Sequence, residues 1–304
     1  MRRRLALPAL AAASVLVLSA CAPTEESVSA SDDGSTTADA TAEGSDGSSE
    51  SADPAACVTD DMLTTAGTLT VGTDSPAYSP WFKGNDPTNG KGYESAVAYE
   101  VAGRLGFSED EVTWTVVPFN TSYAPGAKDF DFDINQISIT PQRAKVVDFS
   151  DGYYSAAQAV IALDGSAAAD ATSLDDLKDL NLGAQTGTTS LTAITDVIQP
   201  DSDPSVFQTT NAAVQALQNG QVDAILADLP TAFYISAVQL DGGTIVGQFQ
   251  PETGETEEFG MLFAKGSSLV TCVNEALAAM EDDGTLAAIE KKWLSDSVSV
   301  PELD

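Results

Sequence analysis

Residues 137–143 read Ile-Ser-Ile-Thr-Pro-Gln-Arg, and Val-Asp-Phe-Ser follows at 147–150. Just before them, residues 131–137 alternate polar and apolar side chains, as a half-buried strand does. Arg143 therefore lies in a loop directly after a predicted strand, in a chain whose main body contains only two arginines. Because a planar guanidinium binds a carboxylate through two parallel hydrogen bonds, the stretch predicts an anion-binding loop. The alternative is that Arg143 only pairs with Asp148.

Strand-like and helix-like segments alternate on both sides of this loop, which is typical of layered α/β folds. The predicted strands are residues 69–72, 112–117, 131–137, 182–185, 224–227 and 259–264. The predicted helices are residues 92–105, 209–217 and 231–240, together with the last thirty or so residues. In the first helix, Val97 and Val101 recur at helical spacing, which predicts one buried face.

A carboxylate lies at the end of one of these predicted strands. Asp228 follows residues 224–227, and the ends of strands are where open α/β sheets bind ligands. A ligand that carries both a carboxylate and an ammonium group could therefore bond Arg143 with one and Asp228 with the other. The alternative is that Asp228 caps the helix that starts near Pro230.

Hydroxyl groups add hydrogen-bond donors for such a pocket. Ser138 precedes Arg143 by five residues, and Thr188 and Thr189 follow Gly187 in a predicted turn. Their hydroxyls and the nearby backbone N–H groups can bind a carboxylate. The alternatives are that Ser138 is a strand residue without a ligand contact, and that the two threonines only cap the next helix.

The composition excludes several other classes of function. The chain has 304 residues, a formal net charge of −33 and no histidine. Such a charge argues against binding nucleic acid, and the missing histidine removes histidine-based catalysis and histidine metal ligands. The alternating aspartates at 129–133 lack the glycine of a calcium loop, and no cysteine pair has metal-site spacing. We therefore expect no metal and no cofactor.

The N-terminus has the pattern of an export signal. Three arginines at 2–4 precede an apolar run to Leu18, and Leu18-Ser19-Ala20 stand before Cys21. The run is short for a membrane span. Leu-Ser-Ala-Cys resembles the lipobox of bacterial lipoproteins, which implies that residues 1–20 are a signal peptide and that Cys21 carries lipid; the alternative is an ordinary signal with a chance cysteine. Residues 21–56 then form a predicted disordered tether, with nine acidic and no basic side chains after Cys21.

Two cysteines remain in the exported body. Cys57 and Cys272 predict a disulfide, because exported proteins form such bonds in an oxidising environment. In the chain-entropy model a bond that closes so long a loop contributes about 4–5 kcal/mol to the free energy of unfolding. The alternative is two buried free thiols.

Six segments, in order along the chain, resemble the polar-amino-acid receptors known as solute-binding protein family 3. They are Val71-Gly72-Thr73-Asp74 with Tyr78-Ser79-Pro80-Trp81; Gly92-Tyr93-Glu94; residues 137–154 with the arginine loop; Gly187-Thr188-Thr189; Asn219-Gly220-Gln221-Val222-Asp223-Ala224 with Asp228; and Asp283-Gly284-Thr285-Leu286 with Lys292-Trp293. The resemblance covers residues 69–294 or so, which is nearly the whole body.

The resemblance implies a two-lobed, type II periplasmic-binding-protein fold with the ligand in the cleft between the lobes. Lobe 1 would comprise residues 57–158 and 262–304, and lobe 2 residues 159–261. The protein would be a monomeric extracytoplasmic receptor that gives a free amino acid to an ABC permease and its ATPase, and it would not be an enzyme.

The resemblance also implies roles for particular residues. The positions that match the family's contacts to the ligand's α-carboxylate and α-ammonium are Ser138, Arg143, Thr189 and Asp228. Around the ligand's side chain we expect Asp74, Tyr78, Trp81 and Phe119, although the aromatic residues have a core role as their alternative. Gln136 replaces the small residue common in the family, so it either contacts the ligand or narrows the pocket.

Two other functions remain open at this stage. A dehydratase on the same fold would need an acid in the cleft, for which Asp74 or Glu94 are candidates; a turnover assay on prephenate separates the two. An amino-acid-sensing co-receptor would lack an adjacent permease gene.

Overall fold

The computed structural model of the chain describes residues 54–250, 257–294 and 300–304. The predicted signal peptide, Cys21 and most of the predicted tether lie outside the described residues. The first helix begins at Pro54, three residues before the predicted start of the body. None of the helices in the described ranges is both long and apolar enough to cross a membrane.

The described residues form two five-stranded sheets, and lobe 1 is the part built on the first of them. Its strands are, in chain order, β1 (Leu69–Thr73), β2 (Val112–Val116), β3 (Phe132–Asp133), β4 (Val147–Ser155) and β10 (Glu258–Ala264). Their spatial order is β2-β1-β3-β10-β4, with β1 parallel to β2 and β3, and β10 antiparallel to β3 and β4.

Lobe 2 is built on the second sheet and repeats this pattern. Its strands are β5 (Gln158–Leu163), β6 (Leu182–Gln185), β7 (Ser205–Phe207), β8 (Ala224–Asp228) and β9 (Gly243–Phe249). Their order is β7-β6-β8-β5-β9, with β6 parallel to β7 and β8, and β5 antiparallel to β8 and β9. In each sheet, the first strand after a crossing from the other lobe is antiparallel to both of its neighbours. These strands are β10 in lobe 1 and β5 in lobe 2.

Helices cover the faces of both sheets. They are α1 (Pro54–Cys57), α2 (Tyr93–Arg104), α3 (Phe119–Ser122), α4 (Thr189–Thr192), α5 (Thr210–Gln218), α6 (Leu229–Tyr234), α7 (Leu269–Asp282) and α8 (Thr285–Leu294), and α4 and α6 continue as π-helices over Ala193–Ile198 and Ile235–Gln239. The predicted buried face of α2 packs into the main core of lobe 1 through Val97 and Val101. Cys57 on α1 is bonded to Cys272 on α7, as predicted, so the disulfide lies within lobe 1.

The described segments 54–250, 257–294 and 300–304 place three passages of the chain between the lobes. It leaves lobe 1 after β4, returns before β10 at Glu258, and reaches lobe 2 again with residues 300–304. The predicted lobe 1 segment, 262–304, is therefore wrong at both ends: β10 begins four residues earlier, and the last five residues lie on lobe 2. There Leu303 is buried in the lobe 2 core, and its N–H donates to the carbonyl of Gln248 at 2.9 Å.

The predicted strand at 131–137 is shorter in the structure, and its ends show why. Asp131 lies just outside β3, and its carboxylate accepts the backbone N–H groups of Thr64 and Thr70, both at 2.6 Å. After β3 the backbone turns sharply, because Gln136 adopts a left-handed conformation with φ +48°. Only Phe132 and Asp133 keep ladder pairing, so the alternating pattern was longer than the strand.

Candidate functional site

A small cavity lies between the two lobes. Its walls come from the ends of strands, the loops after them and the first turns of α3, α4, α5 and α6. The lining residues are Asp74, Tyr78, Phe119, Asn135, Gln136 and Ser138 of lobe 1, and Gln185, Thr188, Thr189, Ser190, Thr210, Leu226, Ala227, Asp228 and Thr231 of lobe 2. Eight of the ten predicted ligand residues are in this set, and the exceptions are Trp81 and Arg143. The cavity measures about 60 Å³. That is room for a few waters, well below the ~300 Å³ of a small ligand site.

Arg143 lies behind the cavity wall and joins the two lobes. Its Nη1 donates to the carbonyl of Ser138 at 2.7 Å, and its Nη2 donates to the carbonyl of Gly187, in lobe 2, at 2.8 Å. The guanidinium stacks on Tyr123, 4.9 Å from the ring centre. These bonds use two of its five N–H donors, so donors remain for a carboxylate. The alternative pairing with Asp148 does not occur, since Asp148 pairs with Lys265 at 2.6 Å.

Asp228 approaches the cavity from the opposite lobe. It ends β8 and starts α6, and its side chain does not cap that helix. Its Oδ1 accepts a hydrogen bond from Gln158 Nε2 at 3.0 Å. Burial, helped by the nearby charge of Glu257, raises the pKa of Asp228 well above the usual range of an aspartate. A ligand ammonium would offset this cost because it supplies the missing positive charge.

The hydroxyls of Ser138 and Thr189 meet across the cleft. Their oxygen atoms are 3.3 Å apart, and each residue belongs to a different lobe. Ser138 Oγ donates at 2.6 Å to Glu257, a residue that sequence reasoning missed. Thr188, by contrast, donates to the carbonyl of Gln185 and caps α4 by accepting the N–H of Leu191. The capping alternative for Thr188 therefore describes its hydroxyl, although the residue still lines the cavity.

Trp81 does not line the cavity, so this prediction is corrected. Its side chain is fully buried and packs edge-on against Tyr93, Tyr154 and Phe259. Its indole Nε1 donates to Thr231 Oγ1 of lobe 2 at 2.8 Å. The tryptophan is thus a core residue of lobe 1 whose polar edge contacts the other lobe.

The lobe 1 side of the cavity combines a carboxylate with two aromatic rings, those of Tyr78 and Phe119. Asp74 accepts the N–H of Ser75 at 2.6 Å and the N–H of Phe119 at 3.2 Å. Tyr78 also lines the cavity, and burial together with the charge of Asp74 raises its pKa. These contacts hold Asp74 beside the rings of Tyr78 and Phe119, where a cationic or polar ligand side chain would fit.

Gln136 lines the cavity, and both its backbone N–H and its side-chain amide donate hydrogen bonds to Glu94. Glu94 is fully buried, and it accepts the N–H of Gln136 at 2.6 Å and further bonds from the Gln136 amide and the Tyr153 hydroxyl. Burial raises the pKa of Glu94 to about 7 despite these bonds. Because its oxygens face the protein, Glu94 does not reach the cavity as an acid catalyst would.

A second buried acid lies close to this pair. Asp133 of β3 has no hydrogen-bond partner for either oxygen among the described residues, and burial raises its pKa well above the usual range, with smaller contributions from Glu94 and Asp74. No cluster of three or more acidic or cysteine side chains within 54–250, 257–294 and 300–304 has the arrangement of a metal site.

Comparison with known proteins agrees with this architecture. Residues 69–296 match the family model of bacterial extracellular solute-binding proteins, family 3. The chain belongs to this family. The match runs from β1 to just beyond α8 and so includes both lobes.

Relatives in family 3 include receptors for several amino acids. The L-cystine-binding protein TcyA of Bacillus subtilis is 32% identical over 241 residues, 77% of this chain and 83% of the relative. The arginine-binding extracellular protein ArtP of the same species is 28% identical over 79% of this chain and 95% of its own. An ancestral arginine-binding protein bound to arginine superposes with a TM-score of 0.63 at 33% identity, covering 75% of this chain and 98% of the other.

Proposed function

We propose that this family 3 protein is the extracytoplasmic receptor of an ABC importer and binds a free polar amino acid between its lobes. One observation carries the proposal: Arg143 of lobe 1 and Asp228 of lobe 2 lie on opposite sides of one cleft, with the hydroxyls of Ser138 and Thr189 between them. This arrangement offers a cation and donors for a carboxylate and an anion for an ammonium. The related receptors for cystine and arginine support it.

Binding would draw the lobes together because the ligand contacts both. The carboxylate would accept hydrogen bonds from Arg143, Ser138 and Thr189, and the ammonium would donate to Asp228. A ligand that bonds both lobes stabilises the closed form by its difference in affinity for the two forms. Direct contacts between lobes, such as Trp81 with Thr231, would add to closure. The permease would then recognise the closed receptor.

The charges around the cleft indicate which side chains it accepts. Asp74 and Asp228 both line the cavity, Asp74 from lobe 1 and Asp228 from lobe 2. An acidic ligand side chain would add a further carboxylate beside Asp74, and the two would repel. We therefore infer that neutral polar and cationic amino acids bind more tightly than aspartate or glutamate.

A thermal-shift screen against the twenty amino acids tests the proposal. At a concentration a hundredfold above Kd, a ligand stabilises the folded protein by about 2.7 kcal/mol, which gives a clear shift in Tm. Arg143→Lys and Asp228→Asn should lose most of the shift. The controls are Arg104→Lys, at an arginine that pairs with Glu100 outside the cavity, and Asp151→Asn, at an exposed site. Full shifts in both cleft variants would contradict the assigned roles.

A dehydratase on this fold is the rival function. Of its two acid candidates from the sequence, only Asp74 lines the cavity, because Glu94 is buried and bonded to Gln136 and Tyr153. Both oxygens of Asp74 accept backbone N–H groups, from Ser75 and Phe119, so its carboxylate is already engaged within lobe 1. Turnover of prephenate by the purified protein would favour the enzyme; its absence alongside amino-acid binding would favour the receptor.

We infer that the receptor is held at the membrane by lipid on Cys21. The basic and apolar residues before Cys21 support this, as does the acidic segment after it, which would let the lobes reach a permease. Cys21→Ser should release the protein from the membrane fraction into the medium, while Cys272→Ser serves as a cysteine control that leaves the anchor in place.

A further inference from the structure

Glu257 places a carboxylate of the protein itself in the cleft. It lies on the crossing from lobe 2 to lobe 1, directly before β10, and its backbone is fixed by a bond from Ala156 N–H to its carbonyl at 3.0 Å. Its Oε1 accepts from Ser138 Oγ at 2.6 Å, and its Oε2 accepts from Gln158 Nε2 at 2.9 Å. The side chain is half-buried.

These bonds occupy donors that a bound amino acid would need. A serine hydroxyl has one proton, so Ser138 cannot donate to Glu257 and to a ligand carboxylate at once. Gln158 Nε2 has two protons, and it bonds both Glu257 and Asp228. The charge of Glu257 is also felt by Arg143, whose guanidinium is the cation assigned to the ligand.

We propose, building on amino-acid binding as the function, that Glu257 fills the carboxylate subsite of the closed cleft and that an amino acid binds by displacing it. A ligand carboxylate cannot share the Ser138 donor with Glu257, and with Glu257 in place the cavity of about 60 Å³ is too small for an amino acid. Only the side chain has to rotate, since the Ala156 bond holds the backbone and the half-buried position gives the carboxylate a way to water.

If amino acids bind by displacing Glu257, this residue should have opposite effects on the affinities of two kinds of ligand. An amino acid must break the bonds of Glu257 to Ser138 and Gln158, so Glu257 lowers its affinity. An amine that lacks the α-carboxylate leaves those bonds intact, and its ammonium gains a second nearby anion besides Asp228. Glu257 therefore disfavours amino acids and favours the corresponding decarboxylated amines.

Titration calorimetry with matched ligand pairs tests this proposal. The pairs are L-arginine with agmatine, L-histidine with histamine, and L-cystine with cystamine. For whichever amino acid binds the wild type, Glu257→Ala should tighten binding about tenfold, as expected when a charged hydrogen bond no longer has to be broken. The same variant should weaken the matched amine. Glu257→Gln should tighten amino-acid binding less, because its amide oxygen can still accept from Ser138.

Glu258→Gln is the control, because it removes the same charge from the adjacent exposed side chain and should change neither affinity. If Glu257→Ala leaves the affinities for both ligands of a pair unchanged, or weakens both, the proposal is overturned, while amino-acid binding stands. A wild type that binds none of the twenty amino acids overturns the proposed function and this proposal with it.

Discussion

At the level of single residues, the sequence was most informative where a residue type was rare. Arg143 is one of two arginines in the body, and its place after a predicted strand pointed to the cleft, where its guanidinium now joins the lobes. Glu257 was missed because it is one of 46 acidic residues and belongs to no motif. Trp81 was wrongly assigned to the pocket. An aromatic residue in a loop can line a pocket or fill a core, and only its contacts distinguish the two roles.

Glu94 should make the stability of the protein depend on pH. The pKa of Glu94 is about 7 in the folded protein and 4.5 for an ordinary glutamate. As the pH rises, the unfolded chain therefore loses this proton at a lower pH than the folded protein does. Stability should therefore fall between pH 4.5 and 7, by about 3 kcal/mol from this residue. Urea unfolding of Glu94→Gln across this range should show a smaller decline than the wild type. Parallel pH profiles would mean that Glu94 is not held in its protonated form.

At the level of the element, the turn after β6 requires a glycine. Gly187 has φ +74°, and a Cβ there would lie 2.2 Å from the Tyr123 hydroxyl of the other lobe. Sequence reasoning placed this turn at the ligand but had no signal for the close approach, because Tyr123 lies 64 residues earlier in a loop. The same holds for β4, β5 and β9, which pair with strands far along the chain and were not predicted.

Gly187→Ala should weaken amino-acid binding by keeping the lobes apart. We expect a loss on the order of tenfold, the size of effect that an overpacked contact produces. Gly220→Ala is the matched control: its φ is +67°, but nothing lies within 4 Å of the added methyl group. The double variant Gly187→Ala with Tyr123→Phe should recover affinity, since it removes the clashing hydroxyl. Equal losses in the two single variants would mean that backbone strain, not lobe contact, is responsible.

At the level of the whole molecule, the alternating pattern predicted an α/β fold and the resemblance to family 3 implied two lobes, and family membership confirms that fold. The lobe boundaries were less predictable, because a crossing strand looks the same in sequence whichever sheet it joins. The last five residues show this most clearly. Nothing in the sequence Val-Pro-Glu-Leu-Asp indicates that Leu303 packs over Gly247 in lobe 2. The packing is so close that a Cβ added to Gly247 would lie 2.5 Å from the Leu303 side chain.

Leu303→Ala should destabilise the protein by about 2–4 kcal/mol, because it empties a buried site in the lobe 2 core. Val238→Ala, at a residue that is 65% exposed, is the control and should have little effect. Urea unfolding monitored by tryptophan fluorescence and far-UV circular dichroism would measure both. An unchanged free energy of unfolding for Leu303→Ala would show that the tail does not pack on lobe 2 in solution.

The most direct test of the account is a crystal structure of the protein with the amino acid that gives the largest thermal shift. We expect the ligand's carboxylate within hydrogen-bonding distance of Arg143 and Ser138, and its ammonium on Asp228. A ligand bound in the reverse orientation, or outside the cleft between the two lobes, would contradict it.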